Sequence, residues 1–345
     1  TGKPWLNFLA GPANRQARIV ADNMVFGNKV TYEGAVGTSI AKIFDMTVAA
    51  SGFPAKRLKQ AGIDYLSATI HSGSHAGYYP DALQMSIKIT FSPADGKLLG
   101  AQIVGYSGVD KRIDEFSQVI KHSGTVYDLM ALEQAYAPPF SSAKDPVAVT
   151  GYVAGNILNG KMQPLYWREL QAADWSKVTL VDVRTPDEFA LGALKGAVNI
   201  PLDDMRERMK EIPQDKPVYL YCGVGLRGYL ASNILLQNGF GEVKNLIGGL
   251  KLYKAATAPL PEPEEFSNSG SSSSDSSKVD HSEHSKDSAG AYTIASSVIP
   301  SMKAIKVDAC GISCPGPIMK LKKSMEELAD GERLEIVATD AGFPP

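Results

Sequence analysis

Cysteine is scarce in this chain, with three residues in 345. That is too few for a disulfide framework, and their loop positions beside expected helix starts suit thiols kept reduced, which points to the cytoplasm. Long apolar runs are missing as well. The longest weakly polar stretch, 147–158, is interrupted by Thr150, Tyr152 and Asn156 and falls short of the roughly 18 apolar residues a bilayer span needs. Neither sign of charge dominates: 35 Lys and Arg stand against 37 Asp and Glu, for a formal net charge of -2. The two signs are interspersed, so no basic face for nucleic acid and no polybasic membrane anchor is expected. Among five histidines there is no His-Glu-x-x-His pattern, and no metal site is expected. Residues 1–155 lack both cysteine and a Gly-rich dinucleotide fingerprint.

What is there divides into several units, as the length suggests. The chain starts at Thr1 without Met and stops at Pro345, shortly after an apolar run at 334–337, so it reads as a fragment, and a missing signal peptide carries no weight. Gly160 and Pro164 punctuate a first boundary. Beyond it, β-type runs at 178–183, 197–200, 218–221 and 243–247 alternate with helical stretches at 186–191, 202–212 and 226–237, the pattern of a parallel α/β unit. From 259 to 301 the composition collapses to Pro and Glu, then to Ser, Asp, Lys and His, which predicts a disordered linker. Its reach is about 35 Å. A strand (304–307), helix (315–328) and strand (334–337) follow.

The strongest chemical signal is Cys222 in Cys-Gly-Val-Gly-Leu-Arg227. It follows an apolar strand and precedes a helix, where backbone N–H groups and a helix N-terminus favour a thiolate. Gly223, Val224, Gly225 and Leu226 form the loop around the sulfur, glycines at 223, 225 and 228 let the backbone curl, and Arg227 supplies a fixed cation. An inert buried cysteine would not require this company.

These residues resemble the rhodanese family. The match runs over about 95 residues and includes Asp182-Val-Arg184, the Pro-Asp-Glu-Phe of 186–189, the Gly-Ala-Val-Asn-Ile-Pro of 196–201, the Cys222 loop and the Asn-Leu-Ile-Gly-Gly of 245–249. The resemblance implies a Cys222 persulfide. Ala193 stands where many members carry His. The same fold supports dual-specificity phosphatases, but four residues between Cys222 and Arg227 make a cradle sized for sulfur.

Near the C-terminus, Cys314 immediately precedes Pro315, which suits the first turn of a helix and a lowered thiol pKa. The Cys-Pro-x-Pro sequence between strand and helix resembles the TusA-like sulfur-carrier family, in truncated form, and implies that Cys314 carries a persulfide. Cys310 as a resolving thiol stays open, while His281 and His284 read as solvated linker residues.

By pattern alone residues 1–155 form only an α+β unit, with a hairpin from 86–91 and 98–104 around Asp95-Gly96 and an amphipathic helix at 111–122. The segments 9–15 (Leu-Ala-Gly-Pro-Ala-Asn-Arg), 75–80 (His-Ala-Gly-Tyr-Tyr-Pro), 108–114, 135–139 and 141–146 resemble coenzyme A-disulfide reductases of the flavin-dependent pyridine nucleotide-disulfide oxidoreductase family. The resemblance implies that 1–36 is the tail of an FAD-binding domain and 37–158 a dimerisation domain, followed by the rhodanese-like domain at 164–258 and the sulfur carrier at 302–345. Leu9, Ala10 and Gly11 would face FAD, and Gly37 the nicotinamide of NAD(P)H. Tyr78 and Tyr136 would reach across a homodimer towards the partner's reactive cysteine and flavin. Asn14 and Lys144 would face coenzyme A. The flavin-proximal cysteine and most FAD contacts belong to family segments outside this sequence, so the chain is not expected to bind FAD tightly.

Together these readings imply part of an NAD(P)H- and FAD-dependent reductase of coenzyme A disulfide, coenzyme A persulfide or polysulfide. Cys222 would transfer sulfur and Cys314 relay it, with low-molecular-weight thiols and sulfur-relay proteins as partners. The alternatives are a relay-binding module without turnover and a phosphatase.

Overall fold

A computed structural model of the protein describes residues 9–259, 304–308, 323–324 and 333–337. The described residues begin with α1 (Ala10–Phe26), of whose 17 residues none is buried. Met24, Val25 and Phe26 are all exposed; a helix this apolar at its end ordinarily packs on a partner.

The first sheet collects β1 (Ser39–Ile43), β2 (Met46–Gly52), β3 (Leu66–Gly73), β4 (Gln84–Phe91) and β5 (Leu98–Gly105) in the order β1-β2-β5-β4-β3, every neighbour antiparallel. α2 (Ala55–Gln60) lies between β2 and β3 in sequence. The expected hairpin is β4–β5, with Ile87 opposite Ile103. Alternation sends Met85, Ile87, Ile89 and Phe91 into the core. α3 (Val109–Lys121) begins two residues earlier than the pattern predicts, because Gly108 takes a left-handed conformation at its N-cap. It buries Val109, Ile113, Phe116 and Val119 at helical spacing. Each such side chain contributes roughly 1.5–3 kcal/mol on full burial. α4 (Val126–Ala131) starts at a Thr125–Asp128 capping box, and α5 (Pro146–Leu158) starts on Asp145 with Pro146 at its first turn.

Arg112, fully buried, explains the 141–146 segment. Its guanidinium donates to both Asp145 carboxylate oxygens, to the carbonyls of Ser74 and Gly108, and to Ser141 Oγ. Burial would raise the Asp145 carboxyl, but bonds from Arg112, Ser141 and the Val147 N–H hold it below the usual range.

The second unit is the α/β domain read from the sequence. β6 (Gln163–Leu165), α6 (Trp167–Gln171), β7 (Thr179–Asp182), α7 (Pro186–Ala190), β8 (Val198–Asn199), α8 (Met205–Arg208), β9 (Val218–Tyr221), α9 (Leu226–Gln237), β10 (Val243–Leu246) and α10 (Gly249–Thr257) follow in order. The sheet is parallel, β6-β10-β9-β7-β8, and all four residues of central β9 are buried. The single helix expected at 202–212 is instead a four-residue α-helix between two 3-10 turns. With Met205 and Ile212 buried and Leu202 and Met209 packed on the same apolar cluster, this stretch is held by its side chains more than by a regular backbone.

The two units are packed together. Met162 and Ile247 share a buried cluster with Ile87, Phe91 and Ile157, and Tyr229 of α9 rests on it. The Tyr166 hydroxyl accepts from Ser67 N–H at 3.2 Å and donates to Ser67 O at 3.1 Å.

Last come β11 (Ala304–Asp308) and β12 (Arg333–Val337), a parallel pair in register Ala304 to Arg333. Parallel neighbours require a crossover, which agrees with the strand–helix–strand order read from the sequence; of the expected helix, 323–324 are described and helical. The linker segment 260–301 and the cysteines Cys310 and Cys314 lie outside the described residues.

Candidate functional site

Cys222 sits between the end of β9 and the start of α9. Its side chain is 1% exposed and belongs to the apolar cluster of the second unit. The sequence predicts a ring of amides around the sulfur; among the described residues one, the Gly225 N–H, is hydrogen-bonded to Sγ at 3.1 Å. Gly225 (φ 116°) is the N-cap of α9, which has no side-chain cap, so the positive helix end is open towards the loop. Val224 and Leu226 of the loop are exposed.

The loop is fixed from behind. The Leu250 N–H donates to Cys222 O at 2.8 Å and the Lys251 N–H to Gly223 O at 3.0 Å. These amides belong to the first turn of α10, reached through Gly248 and Gly249, both at positive φ. A Cβ on Gly249 would lie 2.6 Å from Cys222 O and from the Gly223 carbonyl. Asn245 Nδ2 donates to Gly225 O at 3.0 Å, and its side chain occupies the space beside Gly228. The Asn-Leu-Ile-Gly-Gly segment therefore acts on the Cys222 loop, a role that its sequence alone does not disclose.

Arg227 is not an unpaired cation. Nη1 and Nη2 donate to Glu188 Oε2 at 2.6 Å and Oε1 at 2.7 Å. Burial would raise the Glu188 carboxyl, but the bonds from Arg227 and Thr185 bring it down to about 2. Arg227 is raised above its ordinary value by Glu188, with a smaller contribution from the Cys222 sulfur. Glu188 is the N3 residue of a capping box with Thr185 at the start of α7. Asp182 and Arg184 brace the preceding turn: Arg184 Nη2 pairs with Asp182 Oδ2 at 2.7 Å and donates to Gly192 O at 2.9 Å. Glu188 is the residue that the sequence reading leaves without a role. The Thr-x-x-Glu spacing marks it as a cap, and nothing local announces a partner 39 residues away.

In the first unit, Tyr78 and Tyr136 come from segments 58 residues apart, and their hydroxyls are 3.1 Å from each other. The bond from Tyr78 raises the Tyr136 phenol above its ordinary value. Both rings are exposed. Their segments are joined by the Ala76 N–H, which donates to Pro138 O and Ser141 O. His75 is committed to Ser74 Oγ and Pro80 O, and among the described residues no group of three potential metal ligands occurs.

Leu9 is the N-cap of α1 and Ala10 and Gly11 form its first turn, with no side-chain cap on their amides. Gly37 (φ 77°) lines a cavity of about 850 Å³ shared with Arg15, Phe53, Leu99 and Gln118. Asn14 and Lys144 are exposed on separate elements. Of the described residues none forms a helix long and apolar enough to cross a membrane.

Residues 38–147 match the dimerisation domain of pyridine nucleotide-disulphide oxidoreductases, residues 166–256 the rhodanese-like domain, and residues 305–344 the sulfurtransferase TusA. The coenzyme A disulfide reductase of Staphylococcus haemolyticus (strain JCSC1435) is 38% identical over 149 residues, 43% of this chain and 33% of that protein. Among solved structures, reduced CoADR-RHD of Bacillus anthracis is 46% identical with a TM-score of 0.71, over 74% of this chain and 45% of that one. An NAD-dependent persulfide reductase from A. fulgidus is 35% identical with a TM-score of 0.66, over 73% and 45%. The chain spans about a third of the curated reductase it matches and under half of either solved chain.

Proposed function

We propose that this chain, which joins a pyridine nucleotide-disulphide oxidoreductase dimerisation domain to a rhodanese-like domain and a TusA sulfurtransferase stretch, is part of a reductase of coenzyme A persulfide, coenzyme A disulfide or polysulfide that also moves sulfane sulfur through Cys222. The observation that carries the reading is the placement of Cys222 Sγ against the Gly225 N–H at an uncapped helix start.

The Cys222 step is an exchange without net oxidation. The thiolate attacks the outer sulfur of a persulfide R–S–SH, the donor S–S bond breaks, and R–S⁻ leaves with the bonding pair while Cys222–S–SH forms. Gly223, Val224, Gly225 and Leu226 shape the entry, the Gly225 N–H holds negative charge on Sγ, and Arg227, kept oriented by Glu188, faces the anionic donor. The reverse exchange hands the sulfur to an acceptor thiolate, coenzyme A or Cys314.

In the reductive half the electrons would come from NAD(P)H, with FAD as the bound cofactor. The residues present fit part of that site. The first-turn amides of α1 at Ala10 and Gly11 are uncapped, and Gly37 lines the cavity next to the stretch that carries Tyr32, whose buried hydroxyl has no hydrogen-bond partner. Bound FAD would supply hydride acceptance and thiol-level reduction. Asn14 and Lys144 would hold coenzyme A, and the Tyr78–Tyr136 pair holds a phenolic proton with which to meet a departing thiolate of the partner protomer.

The test is sulfur transfer from thiosulfate or a persulfide donor to a thiol acceptor, comparing wild type with Cys222→Ser. Turnover lost in the variant supports the reading. Absence of turnover in both favours a relay-binding module, and release of phosphate from an aryl phosphate favours the phosphatase.

A further inference from the structure

The turn from Gly248 to Lys251 is held on two sides. On one side the Leu250 and Lys251 amides grip the carbonyls of Cys222 and Gly223, at 2.8 and 3.0 Å. On the other side two residues of the antiparallel sheet reach it. His71 of β3 places Nε2 3.1 Å from Gly248 O, and its Nδ1 is 2.7 Å from Ser86 Oγ on β4. A carbonyl can only accept, so Nε2 carries the proton and Nδ1 accepts from the Ser86 hydroxyl; the neutral ring satisfies both bonds. Gln84, also on β4, accepts from Lys251 Nζ. Ile247, immediately before the turn, is buried in the cluster of the first sheet.

We infer that His71 is a positioning residue for Cys222: the dimerisation sheet, through His71 and Gln84, sets the turn that orients the Cys222–Gly223 peptide, so the sulfur-accepting loop is completed only when the two units are docked. Gly249 is the reason the coupling is tight. Its missing Cβ lets α10 approach the Cys222 carbonyl, leaving no slack between the His71 contact and the loop. Burial and the Lys251 cation both disfavour a charged His71, consistent with the neutral ring this geometry needs. Rigid supporting contacts of this kind are what hold a reactive group in productive geometry.

The inference rests on the reading of Cys222 as a sulfur acceptor, and its test separates the two. Amide hydrogen exchange at Leu250 and Lys251 and the rate of sulfur uptake by Cys222 are measured on the full chain as wild type, His71→Ala, His71→Gln and Gln84→Ala. In His71→Ala exchange at both amides rises about tenfold and sulfur uptake slows about tenfold, the scale of one lost hydrogen bond. His71→Gln, whose side-chain amide donates to Gly248 O, restores both. Gln84→Ala, an exposed change that spares the fold, shifts both in the same direction by a smaller factor. Wild-type exchange at Leu250 and Lys251 in both His71→Ala and Gln84→Ala overturns the coupling. Changed exchange with no sulfur uptake even in wild type leaves the coupling standing and removes the sulfur-acceptor reading.

Discussion

Arg227 and Glu188 form a two-pronged ion pair, with Nη1–Oε2 at 2.6 Å and Nη2–Oε1 at 2.7 Å. The pair joins the start of α9 to the start of α7 across the mouth of the Cys222 loop. It turns an arginine that the sequence offers as a bare anion binder into a guanidinium of fixed direction. Both side chains are about a third exposed or less, so solvent weakens the pair without dissolving it.

Arg227→Ala removes the cation and leaves Glu188 as an unpartnered carboxylate at the loop. Sulfur uptake by Cys222 should fall about tenfold or more, while Glu188→Gln, which keeps one acceptor for Arg227, should lose less. The pair also sets a pH window. Glu188 is held at about 2 against its ordinary 4.5, so on acidification the unfolded chain takes up the proton first. The pair's stabilising contribution is therefore full above pH 4.5 and lost as the pH falls through about 2. Acid unfolding of wild type and Glu188→Gln should converge across that interval and run parallel above it.

Gly249→Ala should damage the second unit more than a glycine substitution at another left-handed position. At Gly249 φ is +59° and the added Cβ meets the Cys222 and Gly223 carbonyl groups, whereas at Gly239 (φ +87°) it meets nothing within 4 Å. The left-handed backbone costs about 1–2 kcal/mol in either case. Urea unfolding should show about that loss for Gly239→Ala and about 3 kcal/mol or more for Gly249→Ala.

Much of this was legible in the sequence. The order of strands and helices in the second unit, the β4–β5 hairpin and the strand–Cys222–helix junction follow from alternation, glycine placement and apolar runs. The pairing of Tyr78 with Tyr136 was anticipated only as two matching positions; their contact depends on Ala76 bonding to Pro138 and Ser141, which no local pattern encodes. Strands β1 and β2 were not readable, because β1 is exposed along its whole length and β2 buries only Ala49 and Ser51, so neither shows a clean alternation of apolar and polar residues. Glu188 and His71 were missed for one reason in common: each acts on a residue far away in the chain, Arg227 and Gly248.

Tyr136→Phe removes one hydroxyl of an exposed pair. Thermal unfolding should hardly move. On the proposed function, turnover of coenzyme A persulfide by a flavoenzyme that included this chain should fall about a hundredfold or more, the scale of lost general-acid assistance. Reduction of the flavin by NAD(P)H should keep its rate. Equal loss in both half-reactions would assign Tyr136 to cofactor binding instead.

His71 supplies a second pH window, which lies mostly above that of Glu188. Burial and the Lys251 cation lower it from 6.5 to about 4, against a raising contribution from Gly248 O. Between those values the unfolded chain binds a proton that the folded chain refuses, so stability falls as the pH drops from 6.5 towards 4 and is regained as it rises. Ser86, Gln84 and Lys251 face the same turn, and none of them changes charge in this interval. The slope should be steeper in wild type than in His71→Gln, measured by urea unfolding of the chain, both units included, at several pH values.

The most direct measurement is the intact mass of the chain after incubation with a persulfide donor, followed by peptide mapping of the three cysteines. The account predicts an addition of about 32 Da, one sulfur atom taken up by exchange, located on Cys222, lost in Cys222→Ser and restored to the starting mass by a reducing thiol. An adduct that is absent from Cys222, or that persists unchanged in Cys222→Ser, would contradict it.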